Sequence, residues 1–364
     1  MSSLAELLAD GRRRRVYSGA AWSVGTADGP LDRGWTGTRS WGGADGAGSG
    51  NPNDRTGDVG TVDDGALDGD ELWDLASVTK PIVGLAVMAL VERGALALTD
   101  TVGTHRPEYR GSTAANLTLY QLLTHTSGLP GQVPLYRSRP TRSELLRALG
   151  ALPLQAAPGT RVAYSSQGFI LLGLVAEAAA GRPLDALVSE LVCAPLGMTG
   201  TVFTPDAAGR ARAVATERCP WRGRTVVGEV HDENAAVLGG VCAHAGLFAP
   251  LADLERLGQA LAGGGRALLK PDTFALMTAG HTDTLALRRC LAWQGQDPVG
   301  SPVGSSFGPD AYGHTGFTGT SIWIDPATGR YAVLLTNRVH PTRDRPGIEA
   351  VRHAFHDRAA LLQA

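Results

Sequence analysis

Leu4, Leu7 and Leu8 fall on one face of a short opening helix, and the residues after it change to a different period. Residues 16–25 and 31–41 alternate apolar and polar side chains, the period of two that strands require, and read as a hairpin. Residues 77–93 are apolar nearly all round (Val78, Ile82, Val83, Leu85, Val87, Met88, Leu90, Val91), so this helix is expected to be buried. Pro81 fits only near a first turn and Gly94 stops the helix, which puts its start close to Ser77. Helical spacing recurs over 118–125, 142–151, 167–180, 184–193, 251–263 and 271–279, broken by Pro and Gly turns. Strand patterns return at 320–325 and 330–337 around a Pro-Ala-Thr-Gly turn, before a closing helix over about 346–362.

Strands, a long helical middle, strands again and a final helix predict an α+β fold. An antiparallel sheet would be assembled from both chain ends, 1–76 and 251–364, and flanked by helices. A mostly helical region, 77–250, would sit between them. The Gly/Asp-rich stretch 42–70 has almost no apolar content and reads as a surface insertion. No internal repeat is visible.

With 364 residues and 43% hydrophobic content the chain has ample material for a core. A formal charge of −2 excludes a strongly basic nucleic-acid binder. Cys193, Cys219, Cys242 and Cys290 lie far apart and form no CxxC pair, so neither a zinc site nor a dense disulfide framework is expected. No segment approaches the roughly 20 apolar residues of a membrane span. The Arg12–Arg15 cluster follows the weak apolar stretch at the N-terminus, the wrong order for a secretory signal, and the expected address is the cytosol.

Of 33 basic side chains only Lys80 and Lys270 are lysine. A guanidinium cannot act as a base near neutral pH, whereas a desolvated lysine can. Lys270 sits in Leu-Leu-Lys-Pro-Asp, a loop before a helix, and reads as a surface residue. Lys80 follows Ser77 by three positions at the start of the buried helix, so hydroxyl and amine share a face. A serine needs a neighbouring base to become a nucleophile, and a helix N-terminus offers N–H groups to a developing oxyanion.

Leu75-Ala-Ser-Val-Thr-Lys-Pro resembles the nucleophile motif of the penicillin-recognising serine enzymes: β-lactamases, DD-peptidases, esterases and transacylases. Leu119-Tyr-Gln-Leu-Leu-Thr-His-Thr-Ser-Gly-Leu, Pro158-Gly-Thr-Arg-Val-Ala-Tyr-Ser-Ser, His231-Asp-Glu-Asn-Ala with Leu238-Gly-Gly-Val-Cys-Ala-His-Ala-Gly, and Gly313-His-Thr-Gly-Phe follow in that family's order. The likeness spans about residues 10–350 and implies the β-lactamase/transpeptidase-like fold. It further implies that Ser77 attacks an acyl carbon, that Lys80 takes its proton, and that Tyr164 relays protons. The oxyanion would rest on the backbone N–H groups of Ser77 and Phe317, with Ser166, His314, Thr315 and Gly316 lining the substrate.

Two residues depart from the family pattern. Ser166 stands in place of an Asn, and His314, which titrates near 6.5 when unperturbed, in place of a permanently charged Lys. Both changes argue for neutral esters or amides over substrates carrying a carboxylate. The expected activity is therefore acyl transfer through acyl-Ser77. The acyl group would come from an ester or amide of a small metabolite and pass to water or to an amine or alcohol, in specialised metabolism such as antibiotic biosynthesis. No metal or organic cofactor is expected. A β-lactamase or D-alanyl-D-alanine carboxypeptidase is the alternative enzyme, and a non-catalytic ligand-binding module the alternative from another class. Gly304-Ser-Ser-Phe-Gly308 matches GxSxG but lacks a following helix and reads as a loop. The pair His353 and His356 reads as one solvated face of the last helix.

Overall fold

Alternation within the strands decides the layers. The computed structural model describes residues 3–42, 64–297 and 299–363. Its main sheet has six antiparallel strands in the order Gly29–Gly37, Gly19–Thr26, Arg330–Thr336, Ser321–Asp325, Tyr312–Thr315 and Gln294–Gly295. The two chain ends meet at its centre, where Ala20 pairs with Thr336 and Gly25 with Tyr331. Ala20, Trp22, Val24, Ala332, Leu334 and Trp323 point to one face, against Leu4, Leu8, Val351 and Phe355 of the two terminal helices, Leu4–Arg13 and Ile348–Leu361. Ala21, Ile322, Ile324, Tyr331, Val333 and Leu335 point to the other, against Leu254, Leu257 and Leu261 of the helix Leu251–Ala262. Both faces are covered, so the Arg330–Thr336 strand is buried along its whole length. Each such buried Val, Leu or Phe contributes about 1.5–3 kcal/mol.

The second core is helical and continuous with the inner face of the sheet. At its centre lies the helix Thr79–Glu92, preceded by a single 3-10 turn, Ala76–Val78. Twelve of its residues, from Thr79 to Leu90, are buried, as its apolar sequence requires. Pro81 is its third residue, where no intrahelical N–H bond is lost. The helix Ser166–Ala180 packs beside it and ends at Gly181 in the left-handed conformation.

Several expectations need correction. The stretch 184–193 is an α-helix only to Val188 and a π turn over Ser189–Cys193. Within 77–250 there is also a hairpin, Ala215–Cys219 with Arg224–Val227. Of the 42–70 stretch, 43–63 lies outside the described residues, but Ala66 bridges Thr38 and Leu67 is buried, so its last part belongs to the sheet edge. His356 is not solvated: it is fully buried, with Nε2 3.0 Å from Ser321 Oγ, because the last helix packs on the sheet. All four cysteines are free and buried. Among the described residues no helix is long and apolar enough to cross a membrane.

Candidate active site

Ser77 follows a residue that the chain holds under strain. Ala76 has φ +46°, a region that side chains other than glycine disfavour. Asp74, buried, accepts the Ala76 N–H at 2.8 Å and the His231 N–H at 2.7 Å, which fixes the turn. Burial pushes the Asp74 carboxyl above its ordinary range. Ser77 emerges half-buried, and Lys80 Nζ, one turn on, lies 3.0 Å from its Oγ. The amine is fully buried. It also donates to the His244 carbonyl at 2.8 Å and lies 4.8 Å from the centre of the Tyr164 ring.

Tyr164 is held by its neighbours in sequence. Ser165 caps the helix Ser166–Ala180, taking the Gly168 N–H, and its hydroxyl donates to the Pro130 carbonyl at 2.7 Å. The Ser165 N–H donates to His125 Nδ1 at 3.1 Å, and the Ala163 N–H donates to the His125 carbonyl at 2.8 Å. His125 therefore grips both flanks of Tyr164 and packs against it with ring centres 4.6 Å apart and planes tilted by 41°. Burial, reinforced by Arg289, Lys80 and His314, holds the His125 imidazole neutral. The sequence contained this histidine within a family-like motif but gave no sign of its role.

The segment after His314 is tied to the turn that carries Ser77 by side chains. Thr318 Oγ1 donates to the Asp74 carbonyl at 2.7 Å and Thr320 Oγ1 to the Leu75 carbonyl at 2.9 Å. Gly316 sits so close that a Cβ there would lie 2.0 Å from Thr320 Oγ1 and 2.5 Å from the Leu75 oxygen. Buried Arg352 donates through Nη2 to the carbonyls of Gly316 and Thr320 at 2.5 and 2.9 Å. Phe317 follows on the exposed side of this turn. The hydroxyls at 318 and 320 and the guanidinium at 352 went unassigned by sequence reasoning, since only their partners' positions reveal them.

His314 is buried, and its Nδ1 lies 2.8 Å from the Thr315 carbonyl. A carbonyl only accepts, so Nδ1 carries the proton and Nε2 keeps its lone pair. Burial, and then Lys80, lowers its pKa to about 3, well under the 6.5 expected from the unperturbed side chain.

Ser77, Tyr164, His314, Thr315, Gly316 and Phe317 meet in one cleft of about 620 Å³. Ser166 does not join them: as the first residue of its helix it is buried and does not line the cleft. His314 is not the cleft's only basic side chain. Arg289, Arg338, Arg345 and Arg352 line the same cleft, against a single carboxylate among the described residues, Glu349. The residues of His231-Asp-Glu go to three separate partners: His231 to Glu217, Asp232 to His244 and Glu233 to Arg343. Gly304–Gly308 is a loop, as expected.

The family model described as Beta-lactamase matches residues 4–356. A putative D-alanyl-D-alanine carboxypeptidase of Escherichia coli K12 is 31% identical over 304 residues, 74% of this chain and 69% of the relative. Among solved structures, the simvastatin synthase LovD of Aspergillus terreus superposes with a TM-score of 0.74 at 21% identity, over 99% of this chain and 98% of its own. The D-alanine carboxypeptidase AmpC of Burkholderia cenocepacia gives 0.71 at 21%, over 98% and 97%. EstCE1, a hydrolase with promiscuous acyltransferase activity, gives 0.72 at 19%, over 96% and 97%. These likenesses fix the fold as the β-lactamase/transpeptidase-like one.

Proposed function

The chain belongs to the Beta-lactamase family of serine hydrolases and acyltransferases, and from that premise we propose that it forms an acyl-Ser77 intermediate from an ester or amide. The observation that carries this reading is the 3.0 Å approach of the buried Lys80 Nζ to Ser77 Oγ, which faces the cleft. Once Nζ has lost its own proton, it takes the Ser77 hydroxyl proton as Oγ bonds to the acyl carbon. The tetrahedral oxyanion rests on the N–H groups of Ser77 and Phe317. The proton then passes from Nζ, through the Tyr164 hydroxyl, to the leaving alcohol or amine as its bond to the acyl carbon breaks. In the second half, water or an alcohol or amine acceptor attacks the acyl carbon and Ser77 recovers its proton. His314 contributes an unprotonated Nε2 to this cleft in place of a cation.

A second reading, release of D-alanine from acyl-D-alanyl-D-alanine, is favoured by the arginines that line the cleft and by the name of the Escherichia coli relative. Guanidinium forks suit a terminal carboxylate.

Incubation with a fluorophosphonate and intact-mass spectrometry tests the shared first half. One adduct is expected on the wild-type chain and none on Ser77→Ala; an adduct of equal yield on both would refute acyl-Ser77. Product analysis separates the two readings. Turnover of p-nitrophenyl esters without D-alanine release from diacetyl-Lys-D-Ala-D-Ala supports the ester reading, and the reverse supports the peptidase.

A further inference from the structure

Lys80 makes a second hydrogen bond that the proposed chemistry does not require, to the His244 carbonyl at 2.8 Å. The His244 side chain is fully enclosed and held at both ring nitrogens. Its Nε2 lies 2.9 Å from Asp232 Oδ1, and its Nδ1 lies 3.0 Å from Cys242 Sγ. Asp232 Oδ1 also accepts the Ala235 N–H at 2.8 Å, which caps the turn Glu233–Val237. The carboxylate is thus anchored independently of the ring.

The backbone from His244 to Leu247 runs along the nucleophile turn. Leu247 takes the Leu75 N–H on its carbonyl at 2.9 Å and gives its own N–H to Thr79 Oγ1 at 3.2 Å. These bonds hold one end of the segment. Gly246, at φ +123°, lies between Leu247 and the His244 carbonyl. The ring is the second anchor, and it acts at the residue whose carbonyl meets the amine.

We propose that Asp232 and His244 are positioning residues for Lys80: the ring, clamped between Asp232 and Cys242, holds the His244 carbonyl against Nζ and so keeps the amine at Ser77. This rests on the acyl-Ser77 reading given above. Neither residue touches Ser77 by any hydrogen bond among the described residues, so both act through the amine. The protonation state agrees with the geometry. Burial opposes a charged ring, but Cys242 and Asp232 outweigh it and raise the His244 pKa; Nε2 faces a carboxylate, which only accepts, so it carries hydrogen and donates to Asp232 Oδ1. Asp232 moves the opposite way: burial alone would raise its pKa, but His244 holds it well below the usual carboxylate range.

The test is the rate of Ser77 acylation by p-nitrophenyl butyrate, measured as a burst in the wild-type chain, His244→Ala, His244→Gln, Asp232→Asn and Ser77→Ala. His244→Ala keeps the carbonyl and removes its anchor. Its saturating acylation rate should fall at least 30-fold while the half-saturating ester concentration changes less than threefold. His244→Gln, whose amide can still donate to Asp232, should recover activity to within tenfold of wild type. Should His244→Ala fail to fold, Asp232→Asn carries the test, since it keeps side-chain volume and the cap; it should lose about tenfold in the same parameter. A burst at the wild-type rate in the folded variants would overturn the dyad and leave acyl-Ser77 standing. The absence of a wild-type burst, or its persistence in Ser77→Ala, would overturn the reading beneath it and the dyad together.

Discussion

A single histidine supports Tyr164 from below, and its contacts are of a kind that can be removed one at a time. His125→Phe keeps an aromatic ring against Tyr164 but deletes the Nδ1 acceptor of the Ser165 N–H, 3.1 Å away. That N–H is buried, and leaving it unpaired costs roughly 1–3 kcal/mol, most of it at the peptide that carries Tyr164. Steady-state ester turnover should therefore fall about 10–100-fold in kcat with KM changed less than threefold; a wild-type kcat would show that Tyr164 needs no such support. His314 makes a different case at the same scale. Its identity could be read from the sequence, but its ionisation could not: the unperturbed side chain titrates near 6.5, whereas burial, with Lys80 next in effect, takes this one to about 3. The acid limb of the pH–rate profile should accordingly stay in place in His314→Phe. A limb near pH 6.5 that vanishes in that variant would contradict the burial argument.

Whole elements were legible where their sequence period was uninterrupted. The helix Thr79–Glu92, the two hairpins of the main sheet and the closing helix all follow from spacing, with Pro81 and Gly94 marking one boundary each. Short strands such as Trp73–Asp74 and Gln294–Gly295 escaped because two residues carry no period. The link between elements was also hidden. Nothing in Thr-Gly-Phe-Thr-Gly-Thr indicates that residues 318 and 320 fasten the turn to the Asp74 and Leu75 carbonyls more than 240 positions earlier. Gly316 is the tightest point of that junction. Gly316→Ala would press a Cβ to 2.0 Å from Thr320 Oγ1 and 2.5 Å from a backbone oxygen, and the backbone cannot yield without moving the Phe317 amide. Overpacking of this kind costs about 1–3 kcal/mol. The expected result is a folded protein, melting lower, whose burst acylation rate falls at least a hundredfold; unchanged acylation would mean that this junction does not set the oxyanion site.

For the molecule as a whole, the layers built from both chain ends bury histidines that composition alone would assign to solvent. His356 is the example: spacing put it with His353 on a charged face, and packing against Ser321 makes it neutral. Burial, with Arg352 next, lowers its pKa to about 3, while burial takes His340 to about 4 and His314 to about 3; His125 is also depressed. The sign follows from linkage. Each folded-state value lies under the unfolded 6.5, so below that pH the unfolded chain takes up protons that the native protein refuses, and stability falls as pH drops. Glu217 adds to this below about 4.5: burial opposes its charge, but His231 and Arg343 lower its pKa to about 2, so its contribution is lost as pH falls through that range. His244 works the other way: with its value raised to about 10, it contributes stability that is intact below the unfolded 6.5 and is lost as pH rises from there through about 10. Each depressed histidine accounts for up to about 1.4 kcal/mol per pH unit, and the four together for roughly 5–6. Against a native stability of about 5–15 kcal/mol, unfolding should set in between roughly pH 4 and 5. Urea midpoints at pH 7, 6, 5 and 4.5 should fall steeply below pH 6, and His356→Asn should reduce that slope by about one proton's worth. Midpoints that stay level from pH 7 to pH 5 would mean that these rings take up protons within the folded protein.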